Sequence, residues 1–187
     1  MHALAALLFF LAPPFWEAKP PEKWTSQEID ALRFDSPWAQ AMGPAPALLV
    51  YFATAAPIED AEAELRVRGK NPLREPDADY LTYLSRNREK NFVLAISYPA
   101  PGKAVRAEEE KRMEEESEMV IGRKRYKVIG HFPPIDADPV LRLVFPREIQ
   151  PGDKRVVFRL YVPGIEFPDR QVEFNVKELM YHGRLEV

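Results

Sequence analysis

A chain of 187 residues with a net charge of −3 and no cysteine has room for one domain with a substantial core, and not for two. The missing thiol excludes disulfides, cysteine zinc sites, iron–sulfur ligation and thiol nucleophiles. The balanced charge offers no global attraction to nucleic acid or to an anionic membrane. Nineteen prolines against eight glycines predict rigid, proline-defined turns.

The chain opens with an apolar run from Ala3 to Ala12, stopped by Pro13 and Pro14. A membrane-crossing helix needs roughly 20 apolar residues and a secretory signal about 7–15, so the length favours export. Residues 1–23 read as a signal-like or anchor segment with a proline-rich tether, and the expected location is periplasmic or extracellular. No Lys or Arg precedes the run, and neither Ala12 nor Ala18 completes an A-x-A-like cleavage site. A start further upstream or an uncleaved anchor reconciles both departures; the competing reading is an ordinary buried helix or strand. Without cysteine there is no lipid-attachment site.

Residues 24–187 read as one α+β domain, a helical arm (24–43) followed by a β-rich body (44–187). Thr25 and Glu28 have the spacing of a capping box, flanked by Trp24 and Ile29 as a hydrophobic staple. A helix therefore starts there, with Ile29 and Leu32 on its apolar edge, and ends before Pro37. Ser36 and Pro37 predict a second short helix, closed by Gly43 and Pro44. The apolar run 47–55 suits a buried strand. Pro57 opens a helix with Glu59 and Asp60 in its first turn, Ile58, Ala61 and Leu65 on one face and Gly69 as its C-cap. Asp77 is placed to cap a further helix containing Tyr80, Leu81 and Leu84, and residues 91–99 read as a second buried strand.

Residues 105–120 carry seven glutamates between Glu108 and Glu118. They predict either a solvated helix with a narrow contact edge, from Val105, Met113, Met119 and Val120, or a mobile lobe. The basic run 123–127 follows at once. It is either a phosphate or membrane-surface patch, or the neutralising partner of the glutamates across a helix–strand junction. From Tyr126 onward the hydrophobic period falls to two. The stretches RYKVIGHF, PVLRLVFP, KRVVFRLYV, RQVEFNVK and GRLEV predict five antiparallel strands, with Val172, Phe174 and Val176 alternating most cleanly. The fold class expected is α+β, a mostly antiparallel sandwich or meander in the C-terminal half, with two or three helices packed on it.

Signatures of catalysis are sparse. No HExxH, GxSxG, P-loop or GxGxxG occurs. Of the three histidines, His2 lies in the apolar segment, His131 ends a strand and His182 sits in a Tyr-His-Gly turn. His131 with Asp136 and Asp138 offers imidazole and carboxylate ligands, although aspartates before Pro139 equally serve as turn residues. No metal or other cofactor is predicted. Trp24 and Trp38 are the candidate binding residues, as a ligand platform on the arm, against the alternative that they dock the arm on the body.

The pattern W-T-x-x-E-I-x-x-L at Trp24–Leu32, followed by Ser36-Pro37-Trp38-Ala39, resembles a motif of small exported bacterial proteins without an assigned activity. The C-terminal Pro151-Gly152-Asp153-Lys154 turn and the closing MYHGRLE stretch are similar to their ending. The resemblance implies export and a shared fold, and it carries over no catalytic residue. The function expected is a non-enzymatic envelope or extracellular binding module. Its partner would be another envelope protein or a surface polymer, with no nucleic acid, and it would touch the membrane only through the N-terminal segment. The alternative is a hydrolase of envelope polymers or peptides using carboxylates and His131.

Overall fold

The structure, a computed structural model, describes residues 13–45, 47–69, 78–97, 106–135 and 138–187. The apolar run 3–12, Asp77 and Asp136 lie outside the described residues. Helix α1 (Phe15–Ala18) and a 3-10 turn (Pro21–Lys23) lead into α2 (Ser26–Phe34). The predicted capping box is formed: Glu28 N–H donates to Thr25 Oγ1 at 3.2 Å and Thr25 N–H to Glu28 Oε2 at 2.8 Å. There follow β1 (Ala39–Met42), β2 (Leu48–Phe52), α3 (Ala56–Val67), α4 (Ala78–Asn87), β3 (Asn91–Ser97) and α5 (Ala107–Glu116). The remainder is β-rich: β4 (Glu118–Ile121), β5 (Lys124–Lys127), β6 (Gly130–Phe132), β7 (Val140–Pro146), β8 (Arg155–Tyr161), β9 (Asp169–Asn175), β10 (Met180–Tyr181) and β11 (Arg184–Leu185).

The strands form a first sheet ordered β1-β2-β3-β7-β6, a second ordered β5-β4-β8-β9, and the small hairpin β10-β11. Every pairing is antiparallel, and the fold is α+β with its strands concentrated in the C-terminal half. The two sheets meet through aromatic rings. Phe52 of the first lies 4.8 Å from Phe174 and 5.8 Å from Phe158 of the second, and Phe145 lies 5.3 Å from Phe158. Each such side chain contributes about 1.5–3 kcal/mol when fully buried. On the other side of the first sheet, Tyr80 of α4 packs with Val93 and Val144. Strands β3 and β7 are thus buried on both faces, and for that reason their sequences are apolar runs rather than alternations, broken within β7 by the buried Arg142.

One open side of the sandwich is fastened by Arg170. Its guanidinium donates to the carbonyls of Met42 and Pro44 at 3.2 and 3.3 Å, tying the turn after β1 to β9. Gly43 in that turn has φ +80°, a conformation that favours glycine, and a Cβ there would displace the Arg170 guanidinium.

Three local expectations are corrected. The second arm helix does not form. Ser36 Oγ accepts from Trp38 N–H at 3.2 Å in a tight turn, and Ala39–Met42 pair with Leu48–Tyr51 instead, since a strand there seats Trp38 in the core. The glutamate-rich helix ends at Glu116. Residues 118–121 are β4, because Met119 and Ile121 alternate inward while the strand fills the gap between β5 and β8. Finally, RYKVIGHF is two strands in different sheets, β5 in the second and β6 in the first, with the chain crossing at Val128 and Ile129.

Candidate functional site

Trp24 and Trp38 sit in the interior. Trp24 is 2% exposed and donates its indole N–H to the carbonyl of Lys19 at 3.1 Å. Trp38 is fully buried, meets Trp16 and Tyr181 edge to face, and donates to the carbonyl of Glu186 at 2.9 Å. Neither indole has an open face. The pair instead fastens the segment after the apolar run to the body. Phe15 packs edge-on against Trp24, and the Glu17 carboxylate accepts from the backbone N–H of His182 at 2.7 Å.

His131 is held between two turns of α5. Its Nε2 lies 2.7 Å from Glu110 Oε1 and its Nδ1 3.1 Å from Glu114 Oε1. The ring nitrogens point in opposite directions, so the two carboxylates cannot converge with the imidazole on one ion, and neither nitrogen faces outward to a substrate. Among the described residues no group of three or more His, Asp and Glu side chains is arranged to hold a metal. Asp138 is engaged elsewhere. It accepts from Arg142 Nη1 at 2.6 Å and Nη2 at 3.3 Å, both residues buried in the outer face of the first sheet. The structure does not bring His131 and Asp138 together.

Beside that ion pair, Arg33 and Phe34 of α2, Leu49 and Tyr51 of β2, Ile58 and Glu62 of α3 and Ser97 line a cleft of about 190 Å³. Burial raises Glu62 above the ordinary carboxylate range, against the pull of Arg33 and Arg66. Burial likewise pushes the Tyr51 phenol up. Glu62 is the one carboxyl among these lining residues, so the cleft has no acid–base pair of carboxylates. The sequence held a signal for Glu62. It stands four residues after Ile58 and three before Leu65, at the edge of the buried stripe of α3.

The second sheet turns its other face to solvent. On it Glu118 of β4, 8% exposed, holds three cations. Arg125 of β5 is hydrogen-bonded to its carboxylate, Arg159 of β8 lies at 3.4 Å and Lys127 of β5 at 3.9 Å. The cations are half exposed or more, with side-chain exposures of 58%, 50% and 56% respectively. The register explains the convergence, since Glu118 stands directly opposite Lys127 on one side and Arg159 on the other. Next along the sheet, Val120 and Val157 form an apolar floor, bordered by Gln171, Glu173 and Arg155, in a trough of about 650 Å³. Gly122 of the β4–β5 turn, Gly152, Asp153 and Lys154 line the trough's end, and among the described residues Arg123, Lys124 and Lys154 form no ion pair. The basic run therefore meets its opposite charge chiefly in Glu118, with Lys127 reaching the last turn of α5 by donating to the Glu115 carbonyl at 2.6 Å.

The chain matches no family model, no curated protein and no solved structure. No helix among the described residues is long and apolar enough to cross a membrane.

Proposed function

We propose that the protein is a non-enzymatic binding module, exported to the cell envelope or the exterior, that engages an envelope protein or surface polymer through the open face of its second sheet. The observation that carries this reading is the arrangement around Glu118. A single, nearly buried carboxylate sets the positions of Arg125, Lys127 and Arg159 while leaving their charged ends in solvent. Positioned but undersaturated cations suit recognition, because little side-chain freedom is left to lose on binding. Export rests on the apolar run Ala3–Ala12 and on the resemblance of the arm and C-terminal patterns to exported proteins. The hydrolase reading has less to stand on, since both ring nitrogens of His131 are taken by glutamates.

Co-sedimentation of the purified chain with isolated bacterial envelopes tests the reading, beside an Arg125→Ser, Arg155→Ser variant with unchanged circular dichroism. Binding by the parent and its loss in the variant is the expected result. Equal binding by both would move the site off this face, and no binding at all would remove the proposal. Fractionation of cells producing the full chain tests export; recovery in the cytoplasm alone would overturn that part.

A further inference from the structure

Resting on the binding-module reading, we infer that the open face of the second sheet takes an acidic polysaccharide, a linear chain with one carboxylate per sugar. The first argument is charge complementarity. Arg125, Lys127, Arg155 and Arg159 stand on the open face, with Lys154 on the trough's rim, against Glu118, Glu173 and Asp153, on a protein whose net charge is −3. The excess positive charge is local and on one side, which is what attracts a polyanion to an otherwise acidic molecule. Asp153 is already used, accepting from the Gln150 N–H at 2.8 Å, and Glu173 reaches Arg155 only at 3.4 Å.

The second argument separates a sugar chain from other polyanions. Between the cations the floor is aliphatic, Val120 and Val157, with the Gln171 amide and the Glu173 carboxylate beside it. Aliphatic floor and flanking polar groups match the C–H face and the hydroxyls of a pyranose. A single-stranded nucleic acid needs aromatic side chains on which its bases stack. Tyr161, the aromatic at an outward position of β8, is covered by the Arg112 guanidinium 4.3 Å from its ring centroid. A lipid surface would want apolar side chains that protrude, and the two valines are recessed between longer charged ones. The open-face cations form two rows, Arg125 and Lys127 on β5 and Arg155 and Arg159 on β8, with β4 between them, so the rows lie two strand spacings, roughly 10 Å, apart and a linear chain lying along β4 has cations on both flanks.

Affinity electrophoresis of the full chain in native gels containing polygalacturonate is the test, with dextran gels as the uncharged control. The expected result is retardation by polygalacturonate and none by dextran. It should weaken as salt is added and fall about tenfold or more in apparent affinity in a Lys154→Ser, Arg155→Ser variant, which loses exposed cations near a polyanion. That variant leaves all three partners of Glu118 in place, and a thermal melt matching the parent confirms its fold. Retardation equal in parent and variant, or stronger binding to single-stranded DNA or to phosphatidylglycerol vesicles, would overturn the inference. Envelope co-sedimentation without polygalacturonate binding would sink this inference and leave the binding module standing; failure of both would sink both.

Discussion

The indole N–H of Trp38 donates to the backbone carbonyl of Glu186 at 2.9 Å, across 148 positions of sequence. The bond joins the strand that starts the first sheet to the penultimate residue of the chain, beside the buried Val187. Arg147 donates to the Val187 carbonyl at 2.9 Å from the other side. The arm and the C-terminus are therefore one structural unit with the sandwich.

Trp38→Phe keeps aromatic bulk but leaves the Glu186 carbonyl without its donor, so it should cost about 1–3 kcal/mol. Trp38→Ala, which also opens a cavity, should cost about 3–5 kcal/mol. In a domain of this size each kcal/mol lowers the melting temperature by about 2–4 °C. Calorimetry of the two variants checks the ordering, and a Phe variant as stable as the parent would show that the bond contributes nothing.

Arg142 and Asp138 form a buried ion pair whose Arg142 Nε has no partner among the described residues. Removing one charge leaves the other buried and uncompensated. Asp138→Ala alone should therefore cost about 3–5 kcal/mol, whereas Asp138→Ala with Arg142→Met should recover most of the loss. Urea denaturation of the two singles and the double gives the coupling energy. Additive losses would show that the pair is not coupled.

Burial raises the Glu62 carboxyl, so the folded chain keeps this proton to a higher pH than the unfolded chain does. The stability associated with it is fully present below the ordinary value of 4.5. It is lost as pH rises from there through the raised folded value. Glu62→Gln, neutral at every pH, should be more stable than the parent at neutral pH, with the advantage shrinking towards acid. Chemical unfolding of both proteins across that window decides the matter, and a difference independent of pH would contradict it.

Elements whose cause lies within a single turn or strand are legible in the residues alone. The Thr25–Glu28 capping box needs only two side chains three residues apart, and it forms as read. The alternation of β9 needs only one face inward and one in water, and Arg170, Val172 and Phe174 are indeed buried while Gln171 and Glu173 are not. The apolar runs of β2 and β3 announced burial on both sides. Everything that depends on a distant partner waits for the folded sheets. Ala39–Met42 has the caps of a helix but is drawn into a strand because β2 offers its edge and the core accepts Trp38. Glu118 looks like the last glutamate of a charged helix, and only its register against Lys127 and Arg159 makes it the centre of a cation cluster. His131 was visible as a lone imidazole, but Glu110 and Glu114 reach it from a helix 21 and 17 positions away in the chain. Local hydrogen bonding and periodicity are written in adjacent residues. Pairing and desolvation belong to surfaces that exist only after the two sheets have closed on each other.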